Sequence, residues 1–478
     1  MAASKKTLNT ANLEQLGAKR LAELLMEISK GDAAAKRTLR LELAGNLSPK
    51  EAAKEVRKRL NTIARSRSFI DWHKVRDVGA DLEAQLNAIS KCVAPKEPIE
   101  AFDLLKKFLS LAESIFERSD DGSGYLGTIF DQAREDMEVI APKAKLNPID
   151  TADYVLSCIK DNGYGEYDGM ISILAPVMKE AGLEHLKKSV QDWANEKIEK
   201  PADEDHNVVG YGSGGYLYKD EMDRKYRDDH VKYALQEIAD AQGDVDGFIA
   251  QYTEDNQTVP AIAAKIAERL LSAGRINEAW IAINKAESSN PYIWSEWEHT
   301  RIKVLEAKGD IEEVQKFRWS CFERSLSAEH LKAYLKLLPD FDDLEAEEKA
   351  FQYAYGYEHP LQALSFLLDW GKLDYAAKFV IERYEELDGD RWEFLPSAAQ
   401  ALEEKSPLAA MVIYRTMIDY NLEHNKNTRY KHAGKHLMNC YSLATMIEDY
   451  QGLPSHEDYV QGLQKKYPRR DSFWRHVQ

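Results

Sequence analysis

Apolar residues recur along the chain at the three-to-four-residue spacing of amphipathic helices. Leu21, Leu24 and Ile28 lie on one such face, and Phe102 and Leu105 lie on another. No run of alternating apolar and polar residues is long enough to indicate a strand within a sheet. The pattern therefore predicts an all-α fold, built as an array of helical hairpins with almost no β-structure.

The clearest helix start is the run Ser48-Pro49-Lys50-Glu51. Ser48 can cap the helix, Pro49 suits its first position, and Glu51 can reach back as in a capping box. The helix that follows has Val56 and Leu60 on its apolar stripe. This local chemistry predicts a capped amphipathic helix from Pro49 onward.

The second half of the chain contains an internal repeat of helix-breaking turns. Their spacings are 31, 35, 30, 32 and 35 residues. A period in the low thirties, with one helical hairpin per unit, is typical of tetratricopeptide-like α-solenoids. The turns begin at Gly243, Gly274, Gly309, Pro339, Gly371 and Ser406.

These patterns predict four regions. Residues 1–95 form an N-terminal helical region, and residues 96–195 form a second helical region. Residues 196–225 are expected to be a glycine-rich and charged loop or linker, and residues 226–478 a set of tetratricopeptide-like helical repeats. The glycines between Gly210 and Gly215 lack the Lys-Ser/Thr pair of a phosphate-binding loop, so a flexible loop is the favoured interpretation.

Composition narrows the class of protein. The chain has 478 residues, 44% of them hydrophobic, which excludes wholesale disorder. It has no apolar run near the ~20 residues that cross a bilayer and no apolar signal core after its first residues, so we expect a cytoplasmic protein. The cysteines are far apart and form no CxxC pair, which argues against a disulfide framework and against a cysteine zinc site. They are Cys92, Cys158, Cys321 and Cys440.

The net charge of −17 is unevenly distributed. Residues 1–80 carry a net +8, residues 81–423 a net −29, and residues 424–478 a net +4. The densest basic segment, Lys54–Arg76, has eight basic and two acidic residues and is called the basic patch below. It is either a solvated helix face or a site for an anionic partner.

Four side chains are the candidates for contact with an anionic partner: Arg57, Lys58, Arg65 and Arg67. With so acidic a centre, pairing within the protein competes with partner binding. We predict that Arg57 and Arg65 pair internally and that Lys58 and Arg67 lie in water.

The sequence gives only weak support for a metal site. His432, His436 and Cys440 follow one another at four-residue spacing on one predicted helix, where imidazole and thiolate groups could reach one zinc ion. The HExxH motif is absent, and a fourth ligand is not near in sequence, although His456 could approach in space. Packed structural histidines are the favoured interpretation, and we predict no bound metal, no cofactor and no catalytic residue.

Several segments resemble an uncharacterised bacterial all-helical family, a domain of unknown function. They are Lys6–Leu25, Ile63–Trp72, Tyr164–Gly169, Ile238–Asp246, Arg429–His436 and Ser455–Tyr459. Related helical segments occur behind SWIM zinc fingers, whose CxC…CxH cluster this chain lacks. The resemblance implies a helical fold and a bacterial cytosolic origin, and it supplies no activity or catalytic residues.

Three functional hypotheses follow. The first is a non-enzymatic helical-repeat scaffold that binds another protein or peptide, because solenoids present extended concave surfaces. The alternatives are a nucleic-acid-associated protein that uses the basic patch, and an enzyme whose site is assembled from distant residues. None of the three involves a membrane.

Overall fold

Helices make up nearly all the regular structure in the computed structural model, which describes residues 7–197, 208–212, 215–286 and 295–477. The chain divides into unit 1, Met1–Gln257, and unit 2, Thr258–Gln478. The predicted all-α class is confirmed. Among the described residues, none of the helices combines the length and the apolar character that crossing a membrane requires.

Unit 1 holds thirteen described α-helices and two paired β-strands. Their bounds are α1 (Thr10–Glu14), α2 (Gly17–Ile28), α3 (Ala33–Leu47), α4 (Pro49–Ala64), α5 (Val75–Ala88), α6 (Pro98–Leu109), α7 (Ala112–Phe116), α8 (Tyr125–Ile140), α9 (Pro148–Lys160), α10 (Met170–Asn195), β1 (Val208–Gly212), β2 (Gly215–Tyr218), α11 (Lys219–Gln242), α12 (Val245–Ile249) and α13 (Glu254–Gln257).

The predicted start of α4 is confirmed. The Ser48 hydroxyl accepts a hydrogen bond from the amide of Glu51 at 3.2 Å, and Pro49 takes the first helical position. Val56 and Leu60 are fully buried in the core of unit 1. The apolar stripe of α4 therefore faces the interior and leaves its basic side chains on the other side.

The segment predicted as a loop over residues 196–225 differs from that prediction. Within its described residues, β1 and β2 pair antiparallel, and α11 begins at Lys219 rather than near residue 226. The ladder includes the pair Gly212 and Gly215, and the φ of +116° at Gly215 suits glycine. A short hairpin rich in glycine has the composition of a loop, so the sequence pattern did not distinguish the two.

Unit 2 is helical in its described residues, and five of the six turns predicted from the repeat lie in it, while the turn at Gly243 lies in unit 1. Its helices are α14 (Pro260–Ser272), α15 (Ile276–Asn284), α16 (Ser295–Lys308), α17 (Ile311–Ser325), α18 (Ala328–Leu335), α19 (Asp342–Tyr355), α20 (Pro360–Asp369), α21 (Leu373–Arg383), α22 (Leu395–Leu402), α23 (Pro407–Glu423), α24 (Tyr430–Ala444), α25 (His456–Lys466) and α26 (Asp471–Trp474).

The predicted turn glycines lie between helices, as expected. Gly274, Gly309 and Gly371 have φ values of +72°, +77° and +81°, and each follows the last turn of a helix. This left-handed conformation ends a helix at little cost only for glycine. Ser406 caps α23 through its hydroxyl, which accepts a hydrogen bond from the amide of Ala409 at 3.4 Å.

Helix α23 lies at the centre of the unit 2 core. Apolar residues on nearly all sides of it are buried, including Met411 and Ile418. Because neighbouring helices surround α23, several of its polar residues are buried as well. Tyr414 and Asn421 are 3% and 6% exposed, and both line the pocket described next.

Candidate ligand pocket

A pocket of about 690 Å³ opens in unit 2, with walls from α22, α23 and α24, from the segment before α22 and from the segments that connect the three helices. Its interior is polar although α23 is a core helix. Apolar surface is supplied by Trp392, Pro396 and Met417. The pocket thus joins an apolar wall to a few convergent polar groups, the usual composition of a ligand site.

The floor of the pocket consists of two stacked aromatic rings, one of which is hydrogen-bonded to a carboxylate. The Tyr414 hydroxyl donates a hydrogen bond to Oε1 of Glu403 at 2.7 Å, and the Tyr414 ring stacks on the His436 ring with centroids 5.0 Å apart. Burial lowers the pKa of His436 to about 4, with a smaller contribution from the positive charges of His432 and Lys435. Burial and the Glu403 hydrogen bond raise the pKa of Tyr414.

Two buried polar atoms of the pocket have no hydrogen-bond partner in the part of the chain that the structure describes. The Asn421 side chain donates through Nδ2 to the carbonyl oxygen of Met417 at 2.8 Å, which leaves its Oδ1 unpartnered. Nδ1 of His436 is also unpartnered. An unsatisfied buried polar atom costs about 1–3 kcal/mol, so these atoms favour a ligand that supplies the missing hydrogen bonds.

The rim of the pocket is basic. Arg429 bonds Asp390 through Nη1 and lies 5.7 Å from the centre of the exposed Trp392 ring. His432 and Lys435 line the same rim and are exposed. Three side chains that are positively charged or can be protonated line the opening of the pocket, and they favour an anionic group on the ligand.

The metal candidates predicted from sequence separate in the structure. His432, His436 and Cys440 do share helix α24. His432 is exposed, His436 lines the pocket, and Cys440 is buried, with Sγ donating to the carbonyl oxygen of Met411 at 3.8 Å. Burial raises the pKa of Cys440 to about 12, so its thiol stays protonated. The structure assigns two of the three residues to the ligand pocket.

A different cluster was missed from sequence. In the described part of the chain, the group whose ligand atoms all lie within 4.8 Å of one another is Glu298, Cys321 and His330. They are separated by 23 and 9 positions and come from α16, α17 and α18. Only the packing of three successive helices brings them together, so no local motif could have signalled the cluster.

The basic patch is partly paired within unit 1. Nη2 of Arg57 lies 2.6 Å from Oε1 of Glu100, as predicted. The predicted exposure of Lys58 and Arg67 is confirmed: Lys58 is 72% exposed and Arg67 is also exposed. Nζ of Lys58 nevertheless lies 3.8 Å from Oε1 of Glu55 on the same helix. The predicted pairing of Arg65 is wrong: Arg65 is exposed, and no carboxylate of the described residues lies within salt-bridge distance. Arg65 is the C-cap of α4 and follows Ile63, the last buried residue of that helix.

A second, shallower groove of about 460 Å³ lies along the basic patch. Its lining includes Lys54, Arg57, Lys58 and Arg65, with Glu100 as its one carboxylate among the described lining residues. The groove therefore presents several positive charges on one face of unit 1, which are suited to phosphate contact.

Comparison with known protein families finds a model that covers nearly the whole chain. The model described as "Family of unknown function (DUF6880)" matches residues 3–476. No curated protein matches the chain. The resemblance to a family of unknown function along nearly the whole chain is therefore confirmed.

Proposed function

We propose that this chain, which belongs to the family of unknown function DUF6880, is a non-enzymatic helical-repeat scaffold that binds another protein in the cytoplasm. The packing in unit 2 supports the proposal. Helix α14 contacts α16, α20 contacts α22, and α21 contacts α23. Contact between a helix and the second helix after it is typical of stacked hairpins in a tetratricopeptide-like solenoid.

The observation that carries the proposal is the unpartnered Oδ1 of Asn421, buried in the wall of an open pocket. An extended peptide segment offers backbone N–H groups to such an acceptor. The neutral ring of His436, on helix α24 in the same pocket, offers a second hydrogen-bonding atom. A peptide backbone would therefore satisfy two polar groups that the chain itself leaves unpartnered.

The same groups argue against a catalytic role. A general acid or base works best with a pKa near the pH of the reaction. The pKa of His436 is far below 7, and that of Tyr414 is raised above its ordinary value, so both stay neutral at pH 7. Groups that stay neutral at pH 7 can form hydrogen bonds with a ligand, but they are poorly suited to transfer protons.

The rim defines the chemistry of the partner segment. Arg429 and Lys435 face the opening, and no Asp or Glu occurs between Asn425 and Ile447. A carboxylate on the bound segment would meet these cations, while an apolar side chain would pack against Trp392. We therefore expect an acidic peptide segment with one large apolar residue.

Selection from a random 12-residue peptide library against the full chain tests the proposal. We expect acidic peptides to be enriched and to bind with a Kd that rises tenfold or more in Lys435→Glu, measured by fluorescence anisotropy. Lys431→Glu is the matched control, because Lys431 is an exposed residue of the same helix that does not line the pocket. Failure to enrich any peptide, or equal weakening by both reversals, would reject the proposal.

A specific observation also supports nucleic-acid association as a second candidate function. The groove along the basic patch is lined by Lys54, Lys58 and Arg65, and the last is exposed without a carboxylate partner in the described chain. Contact with phosphate would be strongly salt-dependent. The charge-reversal experiment in the Discussion distinguishes this candidate from the peptide-binding scaffold.

A further inference from the structure

Three buried side chains of unit 2 bring a carboxylate, a thiol and an imidazole to one point. Glu298, Cys321 and His330 each offer one atom, and all three atoms lie within 4.8 Å of one another. The Cys321 residue is fully buried, and the Glu298 and His330 side chains are 10% and 6% exposed. The cluster is separate from the peptide pocket in residues and in helices.

These three groups form a typical ligand set for zinc. Zinc binds carboxylate oxygen and imidazole nitrogen at about 2.0–2.2 Å and thiolate sulfur at about 2.3 Å, so neighbouring ligands of a tetrahedral ion stand about 3.3–3.6 Å apart. Oε2 of Glu298 and Nε2 of His330 are 3.3 Å apart. Cys321 needs an approach of no more than ~1–1.5 Å, within the range of a side-chain adjustment.

Arg324 is compatible with an ion at this point. It donates to Oε1 of Glu298 and leaves Oε2 facing His330. Its Nη2 also lies 3.7 Å from Sγ of Cys321. Glu298 can thus bind an ion through one oxygen while Arg324 holds the other, an arrangement that orients a metal ligand from outside.

We propose that Glu298, Cys321 and His330 bind one zinc-type divalent cation, with water completing a tetrahedral site, and that this ion joins helices α16, α17 and α18. Binding breaks the S–H bond of Cys321, forms a sulfur–metal bond and releases the proton to solvent. Glu298 and the thiolate then contribute two negative charges against the positive charges of the ion and of Arg324, which leaves one positive charge in the cluster.

The alternative is an ion-pair network without metal, in which Arg324 and Glu298 neutralise each other and His330 hydrogen-bonds the second oxygen of Glu298. The two arrangements differ in the state of Cys321. In the network it stays a thiol, since burial raises the pKa of Cys321 to about 11. In the metal site it is a thiolate bonded to the ion.

Titration of the full chain with Co²⁺ distinguishes them, because a cobalt–thiolate bond gives a charge-transfer absorption that carboxylates and imidazoles do not. We expect this absorption to saturate at one Co²⁺ per chain, and addition of Zn²⁺ to abolish it. Cys321→Ser should remove the absorption. Cys440→Ser, which alters another buried thiol of unit 2, should leave it unchanged.

His330→Asn is a second variant for the case that Cys321→Ser does not fold. It should weaken Co²⁺ binding tenfold or more. Zinc titration at pH 7 in weak buffer should release about one proton per ion from the original chain. Absence of the charge-transfer absorption would overturn the proposal. Its persistence in Cys321→Ser, or its loss in Cys440→Ser, would also overturn it.

Discussion

Gly434 lies directly against the C-terminal segment of unit 2: a Cβ built on Gly434 would stand 2.6 Å from the Cβ of His476 and 2.9 Å from its carbonyl oxygen. Helix α24 can contact α26 this closely only where it has no side chain. The contact holds the fully buried Phe473 against Tyr430, with ring centroids 6.1 Å apart. Gly434 also belongs to the Arg429–His436 segment that carries the family resemblance.

Gly434→Ala should destabilise the protein although alanine favours helices. The new methyl group meets backbone of His476, which cannot rotate away, so we expect a loss of about 1–3 kcal/mol in the free energy of unfolding. Gly462→Ala is the control: Gly462 lies on α25 with no atom within 4 Å of an added Cβ, and should gain about 0.5–1 kcal/mol. Urea denaturation measures both, and equal effects of the two changes would contradict the packing.

The sequence allowed prediction of features whose signals are local. Ser48 and Pro49 together determine where α4 begins, and glycines such as Gly274 and Gly371 determine where helices end. The all-α class followed from periodicity, because each amphipathic helix carries its own pattern. The i, i+4 spacing of His432 and His436 likewise placed both on one helix.

The candidate sites could not be predicted in the same way. Glu403 follows α22, Tyr414 and Asn421 lie on α23, and none of them belongs to a motif. Oδ1 of Asn421 has no partner among the described residues because α23 is enclosed. The exposure of Arg65 depended on where α4 ends relative to its neighbours. These are consequences of three-dimensional packing, to which a single sequence gives no direct access.

Ser48→Ala should cost about 1 kcal/mol in the free energy of unfolding. The Ser48 hydroxyl is the acceptor for the Glu51 amide, one of the first backbone donors of α4 that have no partner within the helix. Ser48→Asp keeps an acceptor oxygen and adds a favourable charge at the helix N-terminus, so its stability should match that of the original chain. Urea unfolding of the three proteins checks the prediction, which would be wrong if Ser48→Ala were as stable as Ser48→Asp.

Reversing the charges of Lys58 and Arg67 together to glutamate should leave the melting temperature nearly unchanged. Both side chains are exposed, and exposed ion pairs contribute only ~0–1 kcal/mol. Arg59→Glu is the contrasting change. Nε of Arg59 lies 2.8 Å from the half-buried Asp81 carboxylate, and losing this bond should cost roughly 1–3 kcal/mol.

The Lys58 and Arg67 double reversal also tests the two candidate functions. If the protein binds peptides only, the double variant should retain the affinity of the original chain for the selected acidic peptides. Tight binding of random duplex or single-stranded DNA that weakens with salt and is lost in the double variant would place nucleic-acid association ahead of the peptide scaffold. Fluorescence anisotropy at two salt concentrations makes both measurements.

His436 should make unit 2 less stable as the pH falls below about 6.5. Burial lowers the pKa of His436 to about 4 in the folded chain, whereas an unfolded histidine has a pKa of about 6.5. Between these values the unfolded chain binds a proton that the folded chain does not, so acidification favours unfolding. The effect is absent at pH 7, where both forms are neutral, and it reaches its limit below pH 4.

His436→Asn removes this titration and keeps a polar side chain in the pocket. The free energy of unfolding of the original chain, relative to that of His436→Asn, should therefore fall by about 1–2 kcal/mol between pH 7 and pH 5. Asp419, whose pKa burial raises to about 6, contributes the opposite trend, but it is present in both proteins and cancels in the difference. Urea denaturation at the two pH values provides the measurement. A difference that stays constant with pH would show that His436 is solvated in the folded protein and that the floor of the pocket is open to water.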